Sequence, residues 1–184
     1  HTNERTFSIY MTLDGEFGIA DLVDKQNRIL STFGQLNNLV SYVSKHIDCD
    51  AKFAWHMTWS FDQSLAHLDS RFDYYNNDEQ TMYNAIISTT LSKVCEENAI
   101  NIVIPAATAI DSCRSADVFE SLNRDGYHLS LDYGRYLAGL TLVSKLSGIS
   151  LEKETYFAPG VDRRFADLLN SSVEQAILNP FKIT

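Results

Sequence analysis

The chain predicts an α/β fold built on a parallel sheet. Helical and strand-like periodicities alternate along it, the pattern of an α/β domain. The run Ile100 to Pro105 is short, apolar and β-branched, as strands buried on both faces of a parallel sheet are. A length of 184 residues suits one domain with a sizeable core, so 1–184 reads as a single unit. Residues 160–184 form its carboxyl-terminal helix and tail.

The elements follow in order. Thr6 to Leu13 is rich in β-branched and aromatic residues and reads as a strand, closed by the turn Asp14-Gly15. Leu36, Leu39, Val40, Val43 and Ile47 recur at helical spacing, which makes Gly34 to Ile47 an amphipathic helix. Ala51 to Met57 is a second strand. A polar, aromatic loop from Thr58 to about Asn76 follows, and connections of that length often carry function. Asn77 or Asp78 caps a helix through Asn98, with Met82, Tyr83, Ile86, Leu91 and Val94 inward. After the Ile100 strand, small residues from Ala106 to Ser115 lead to a short helix near Ala116 to Leu122. Asp125 to His128 is a turn. Ser130 or Asp132 caps the next helix, which points Tyr136, Leu137, Leu140, Val143 and Leu146 inward and ends at Gly148. A linker at Glu152 to Pro159 precedes a last helix near Asp162 to Leu178. Two internal strands and one edge strand are few for a doubly wound sheet, so residues outside this chain are expected to complete it.

Composition excludes some partners. The net charge is −9 and the pI about 4.9, which argues against a nucleic-acid backbone or an anionic membrane surface. No apolar run approaches the roughly 18–20 residues that span a bilayer. Cys49, Cys95 and Cys113 show no C-x-x-C spacing, so a cysteine-based zinc site is not expected. Cys95 reads as a small buried hydrophobe, and a pairing of Cys113 stays open. His56, His67, His128 and Asp111 lack a recognised ligand spacing, and no cofactor is expected. The chain starts at His1 and its localisation, cytoplasmic or secreted, stays open, as does its oligomeric state.

Three segments carry candidate chemistry. In Arg124-Asp-Gly-Tyr-His-Leu-Ser130, Asp125 and His128 stand three apart on a turn that Gly126 permits. That spacing suits a carboxylate orienting a general-base imidazole, and equally suits a surface turn with a helix cap. In Phe53-Ala-Trp-His-Met-Thr-Trp59, a strand ends in a polar loop. Ligands of open α/β sheets bind beyond the carboxyl ends of strands, which puts Trp55, His56 and Trp59 near a site. Both tryptophans either stack on a sugar ring or pack the core. Beyond Pro105, Asp111 either contacts substrate or bridges to Arg114.

The segments WHMTWSFDQS, DEQTMY, IPAATAIDSCR and RDGYHLSLDYGRYLAG occur in that order between about Gly34 and Gly148. Together they resemble a bacterial branch of the SGNH/GDSL-type serine hydrolases. The resemblance implies a flavodoxin-like three-layer α/β/α sandwich and hydrolysis of a small ester, often an acetyl group on carbohydrate. Carried over, its D-x-x-H block falls on Asp125 as orienting carboxylate and His128 as general base. Gln26 falls where an oxyanion-hole amide is expected. The family's G-[DN]-S nucleophile motif has no counterpart here. The domain is therefore expected to be incomplete at its amino end and to lack its first strand or strands. A chain of these residues alone is expected to show little or no activity. Ser60 and Ser112 lie near strand ends without the tight elbow of a nucleophile. A glycan-binding or structural domain that keeps the fold without catalysis is the alternative.

Overall fold

The computed structural model describes residues 36–47, 51–119, 121–151 and 157–183. The edge strand expected at Thr6 to Leu13 and the candidate Gln26 lie outside them, as do Cys49 and most of the Glu152–Pro159 linker.

Helix α1 covers residues 36–46, with Leu36 buried and Leu39, Val40 and Val43 half-buried along one stripe. Strand β1 is Ala54–His56 and strand β2 is Ile102–Ile104. They pair in parallel, Trp55 opposite Val103 and His56 opposite Ile104. The Met57 N–H extends the ladder by donating to the Ile104 carbonyl at 3.0 Å. Between the strands, the long loop is built around two short 3-10 turns, Gln63–Leu65 and Phe72–Tyr75. Helix α2, Glu79–Thr89, is capped by Asp78, whose side chain accepts from the Thr81 N–H at 2.7 Å. It widens into a π-helical stretch, Thr90–Glu96. Met82, Tyr83, Ile86 and Val94 point inward as expected, whereas Leu91 is exposed.

Helix α3 is Ala106–Arg114. The sequence placed a helix one segment later, near Ala116 to Leu122, and that expectation is corrected. Alanine is the strongest helix former, and Ala106, Ala107 and Ala109 start the helix directly after Pro105. It ends at Ser115, and Asp117 adopts the left-handed φ of 51°, which stops any continuation. Every residue from Ala106 to Cys113 is buried, the mark of a helix enclosed on all sides.

Helix α4, Tyr133–Ser147, uses both expected caps. Asp132 accepts from the Tyr133 N–H at 2.8 Å and Ser130 Oγ accepts from the Gly134 N–H at 2.9 Å. Its buried residues are Gly134, Tyr136, Leu137, Ala138, Thr141 and Ser144, and the small ones among them, Gly134, Ala138, Thr141 and Ser144, let α4 approach α3 and α5 closely. Val143 and Leu146, expected inward, fall off that stripe and are exposed. Gly148 terminates the helix at φ 70°. Helix α5, Ala166–Leu178, follows the short turn Arg163–Phe165.

The hydrophobic interior forms two clusters. One gathers Trp55, Met57, Phe61, Phe72, Met82, Tyr83, Ile86 and Val103, between α2, the sheet and the long loop. The other gathers Ala109, Ile110, Leu122, Leu137, Leu169 and Val173, where α3, α4 and α5 meet. Phe181 and Ile183 of the tail pack back on the first cluster. The fold is α/β, with helices around a small parallel sheet.

Candidate active site

Because β1 and β2 run in parallel, their carboxyl ends lie at one edge. The segments leaving them are 57–62 and α3, and the Asp125–His128 turn is tied to the same edge. Leu122 to Ser130 doubles back on itself. The Ser130 N–H donates to the Leu122 carbonyl at 2.8 Å, the Arg124 N–H to the His128 carbonyl at 2.9 Å, and Asn123 bridges Leu129. Gly126 sits at the bend with φ +75°. The turn is then anchored from outside through its carbonyls. The Asp62 N–H donates to the Gly126 carbonyl at 2.9 Å, and Trp59 Nε1–H to the Tyr127 carbonyl at 3.0 Å.

Within this turn the imidazole and the carboxylate meet. His128 Nδ1 lies 2.8 Å from Asp125 Oδ2. The other carboxylate oxygen, Oδ1, accepts from the backbone N–H of His128 at 2.6 Å and of Tyr127 at 3.1 Å. The His128 backbone and ring donors, with the Tyr127 N–H, hold the Asp125 carboxyl down at about 2. An ionised carboxylate accepts and cannot donate, so Nδ1 carries the proton and Nε2 is the ring's acceptor. Both side chains are half-exposed. The Tyr127 ring stands edge-on to the imidazole, and the Arg71 guanidinium lies over the Tyr127 ring, 4.8 Å from its centre.

Behind the turn is a buried polar hub centred on Arg114. Its Nη1 lies 2.8 Å from Ser60 Oγ, 2.9 Å from Asp111 Oδ1 and 2.9 Å from Glu79 Oε1. Its Nη2 reaches the Ser60 carbonyl at 3.2 Å and Asn123 Oδ1 at 2.6 Å. Ser60 Oγ–H donates to Asp111 Oδ1 at 3.1 Å. Burial pushes the Asp111 carboxyl up, to about 7, against the pull of Arg114, and the nearby Glu79 adds to the rise. Asp111 thus pairs with Arg114, the bridge that the sequence weighed against substrate contact.

The other candidates divide. Trp55 is buried in the first cluster, and Trp59 is half-buried with its N–H committed to Tyr127. His56 alternates to the exposed face of β1. Ser60 is fully buried, and Ser112, inside α3, is 7% exposed. Cys113 is a buried free thiol, which burial pushes up to about 11. Among the described residues, no group of three or more His, Cys, Asp or Glu is placed to hold a metal ion. No described helix is long and apolar enough to cross a membrane. Sequence reasoning passed over Asn123, which in Asn-Arg-Asp-Gly reads as one more turn residue. Its contact with Arg114 is made by the fold alone.

The family model for DUF4886, a domain of unknown function, matches residues 26–176. The chain belongs to the DUF4886 family. This DUF4886 domain is also similar to a crystal structure of a DUF4886 family protein from Bacteroides uniformis, 28% identical with a TM-score of 0.75. The likeness covers 85% of this chain and 61% of that one, so the chain spans less than two thirds of its relative. No curated protein matches. The DUF4886 match takes in the Asp125–His128 turn and the whole Arg114 hub.

Proposed function

We propose that Asp125 and His128 are the acid–base arm of a serine ester hydrolase of the SGNH/GDSL type, acting on a small ester such as an acetylated carbohydrate. The observation that carries this reading is the 2.8 Å contact between His128 Nδ1 and the Asp125 carboxylate. It fixes the tautomer in which Nε2 is free to take a proton. A serine hydroxyl attacks the acyl carbon while Nε2 accepts its proton, and the imidazolium formed is stabilised by Asp125. His128 then gives that proton to the leaving alcohol, and water repeats the sequence in reverse to release the acid. The sequence holds no G-[DN]-S motif and Ser60 and Ser112 are buried, so this reading takes the nucleophile from residues outside this chain. Backbone N–H groups, with Gln26 as the amide side chain, would stabilise the oxyanion. The alternative of a glycan-binding module rests on the absent G-[DN]-S motif and on Trp55 and Trp59 as a stacking pair, and a buried Trp55 does not favour the stacking.

The test is p-nitrophenyl acetate turnover by the full-length gene product. His128→Ala is expected to lose about 10²-fold or more. Equal turnover by wild type and variant would remove His128 from the chemistry.

A further inference from the structure

We propose that Asn123 is a positioning residue for His128, its buried carboxamide holding the peptide group that joins Tyr127 to His128. The proposal rests on the acid–base reading above. Asn123 is 5% exposed. Its Oδ1 lies 2.6 Å from Arg114 Nη2, and a guanidinium only donates, so the orientation of the amide is determined. The amino end must face the other way, and there Nδ2 lies 3.1 Å from the Tyr127 carbonyl and 3.4 Å from that of Gly126.

The Tyr127 carbonyl and the His128 N–H belong to one planar peptide group. Asn123 Nδ2 and Trp59 Nε1 grip its oxygen, at 3.1 and 3.0 Å, while Asp125 Oδ1 grips its N–H at 2.6 Å. Rotation of this plane would break all three bonds. It would also release the Asp125 carboxylate from the His128 N–H, and that same carboxylate orients Nδ1 through its other oxygen. Arg114 in turn is held by Ser60, Glu79 and Asp111, so the aim of the imidazole is set from α2 and α3 through Asn123.

The experiment uses the full-length gene product and two variants, Asn123→Asp and Trp59→Phe. Asn123→Asp keeps the shape and the acceptor toward Arg114 but replaces the donor toward Tyr127. Trp59→Phe removes the other donor to the same carbonyl and keeps a ring in place. With p-nitrophenyl acetate each is expected to lower kcat about tenfold with KM unchanged, since misaimed groups lose rate rather than binding. The NMR resonance of the His128 Nδ1 proton is expected to lose its hydrogen-bonded downfield shift in Asn123→Asp. A folded Asn123→Asp with wild-type kcat and an unchanged Nδ1 proton overturns the proposal. If wild type hydrolyses no ester, the acid–base reading fails by itself, and the Nδ1 proton alone decides the role of Asn123. If Asn123→Asp does not fold, the same two readings on Trp59→Phe decide it.

Discussion

The indole N–H of Trp59 donates to the carbonyl of Tyr127 at 3.0 Å, across 68 positions of sequence. Trp59 leaves the end of β1, and Tyr127 precedes the imidazole of His128. The segment after the strand thereby carries the turn that holds the Asp125–His128 pair. A neighbouring bond, from the Asp62 N–H to the Gly126 carbonyl at 2.9 Å, repeats the connection one residue earlier. The turn itself is exposed at Asp125 and His128, yet its backbone is anchored to the half-buried Trp59 and Asp62 and to the buried Asn123.

Gly126 is where this anchoring is least tolerant. A Cβ there would stand 2.4 Å from Leu65 Cγ, and φ is +75°. Gly126→Ala is expected to destabilise the fold by about 1–3 kcal/mol, from left-handed strain with overpacking. Leu65→Ala in the same chain should recover the packing part and leave the strain. Urea denaturation of the single and double variants measures both. A Gly126→Ala protein as stable as wild type would contradict the turn geometry.

The Asp125 carboxyl is held at about 2, below its ordinary 3.8. Its folded value is depressed, so its contribution to stability is present above pH 4 and is lost as pH falls toward 2. NMR titration of the Asp125 carboxyl carbon should show a midpoint near 2. In His128→Ala the midpoint should rise, yet stay below 3.8, because the backbone donors of residues 127 and 128 remain. An unmoved midpoint would mean that the ring bond does not form in solution.

The buried Asp111 behaves with the opposite sign. Its folded value of about 7 lies above the ordinary 3.8, so the native protein holds the proton more tightly. The stability from this group is complete below pH 4 and is lost as pH rises through 7. Asp111→Asn keeps an acceptor for Ser60 and Arg114 and does not titrate. The difference in unfolding free energy, wild type minus Asp111→Asn, should therefore fall from pH 4 to pH 7 and level off above pH 8. A difference that rises over that window would show Asp111 to be an ordinary ionised partner of Arg114.

Two glycines of α4 should respond in opposite directions. A Cβ at Gly134 would stand 2.3 Å from the Leu122 carbonyl oxygen, whereas at Gly139 nothing lies within 4 Å. Gly139→Ala removes a helix-interior glycine and is expected to stabilise by about 0.5–1 kcal/mol. Gly134→Ala presses on backbone and is expected to destabilise by about 1–3 kcal/mol. Thermal unfolding of both variants checks the contrast. Equal effects would mean that α4 does not pack on Leu122 as described.

The local elements were largely legible. The spacing of Leu36, Leu39, Val40 and Val43, the cap at Asp78, the β-branched run before Pro105 and the stop at Gly148 each state a short-range preference, and each was met. The misses came where several preferences competed. Ala106 to Arg114 has few large apolar residues, so its periodicity was faint, whereas its alanines favour the helix that the fold then encloses on every side. Val143 and Leu146 are apolar by type, but Gly134, Thr141 and Ser144 are small enough to let α4 come close to its neighbours, and proximity won.

The site divides in the same way. Asp125 and His128 are three residues apart, so the sequence by itself determined that they share a turn at Gly126, as a carboxylate–imidazole pair or as a plain surface turn, and the 2.8 Å contact decides for the pair. What only the tertiary structure decided is what stands behind them. Trp59, Arg114 and Asn123 come from three separate segments, and no local rule links them. They meet because packing β1, α3 and the turn around a common interior leaves buried donors and acceptors that must pair with one another, burial of an unpaired polar group being too costly.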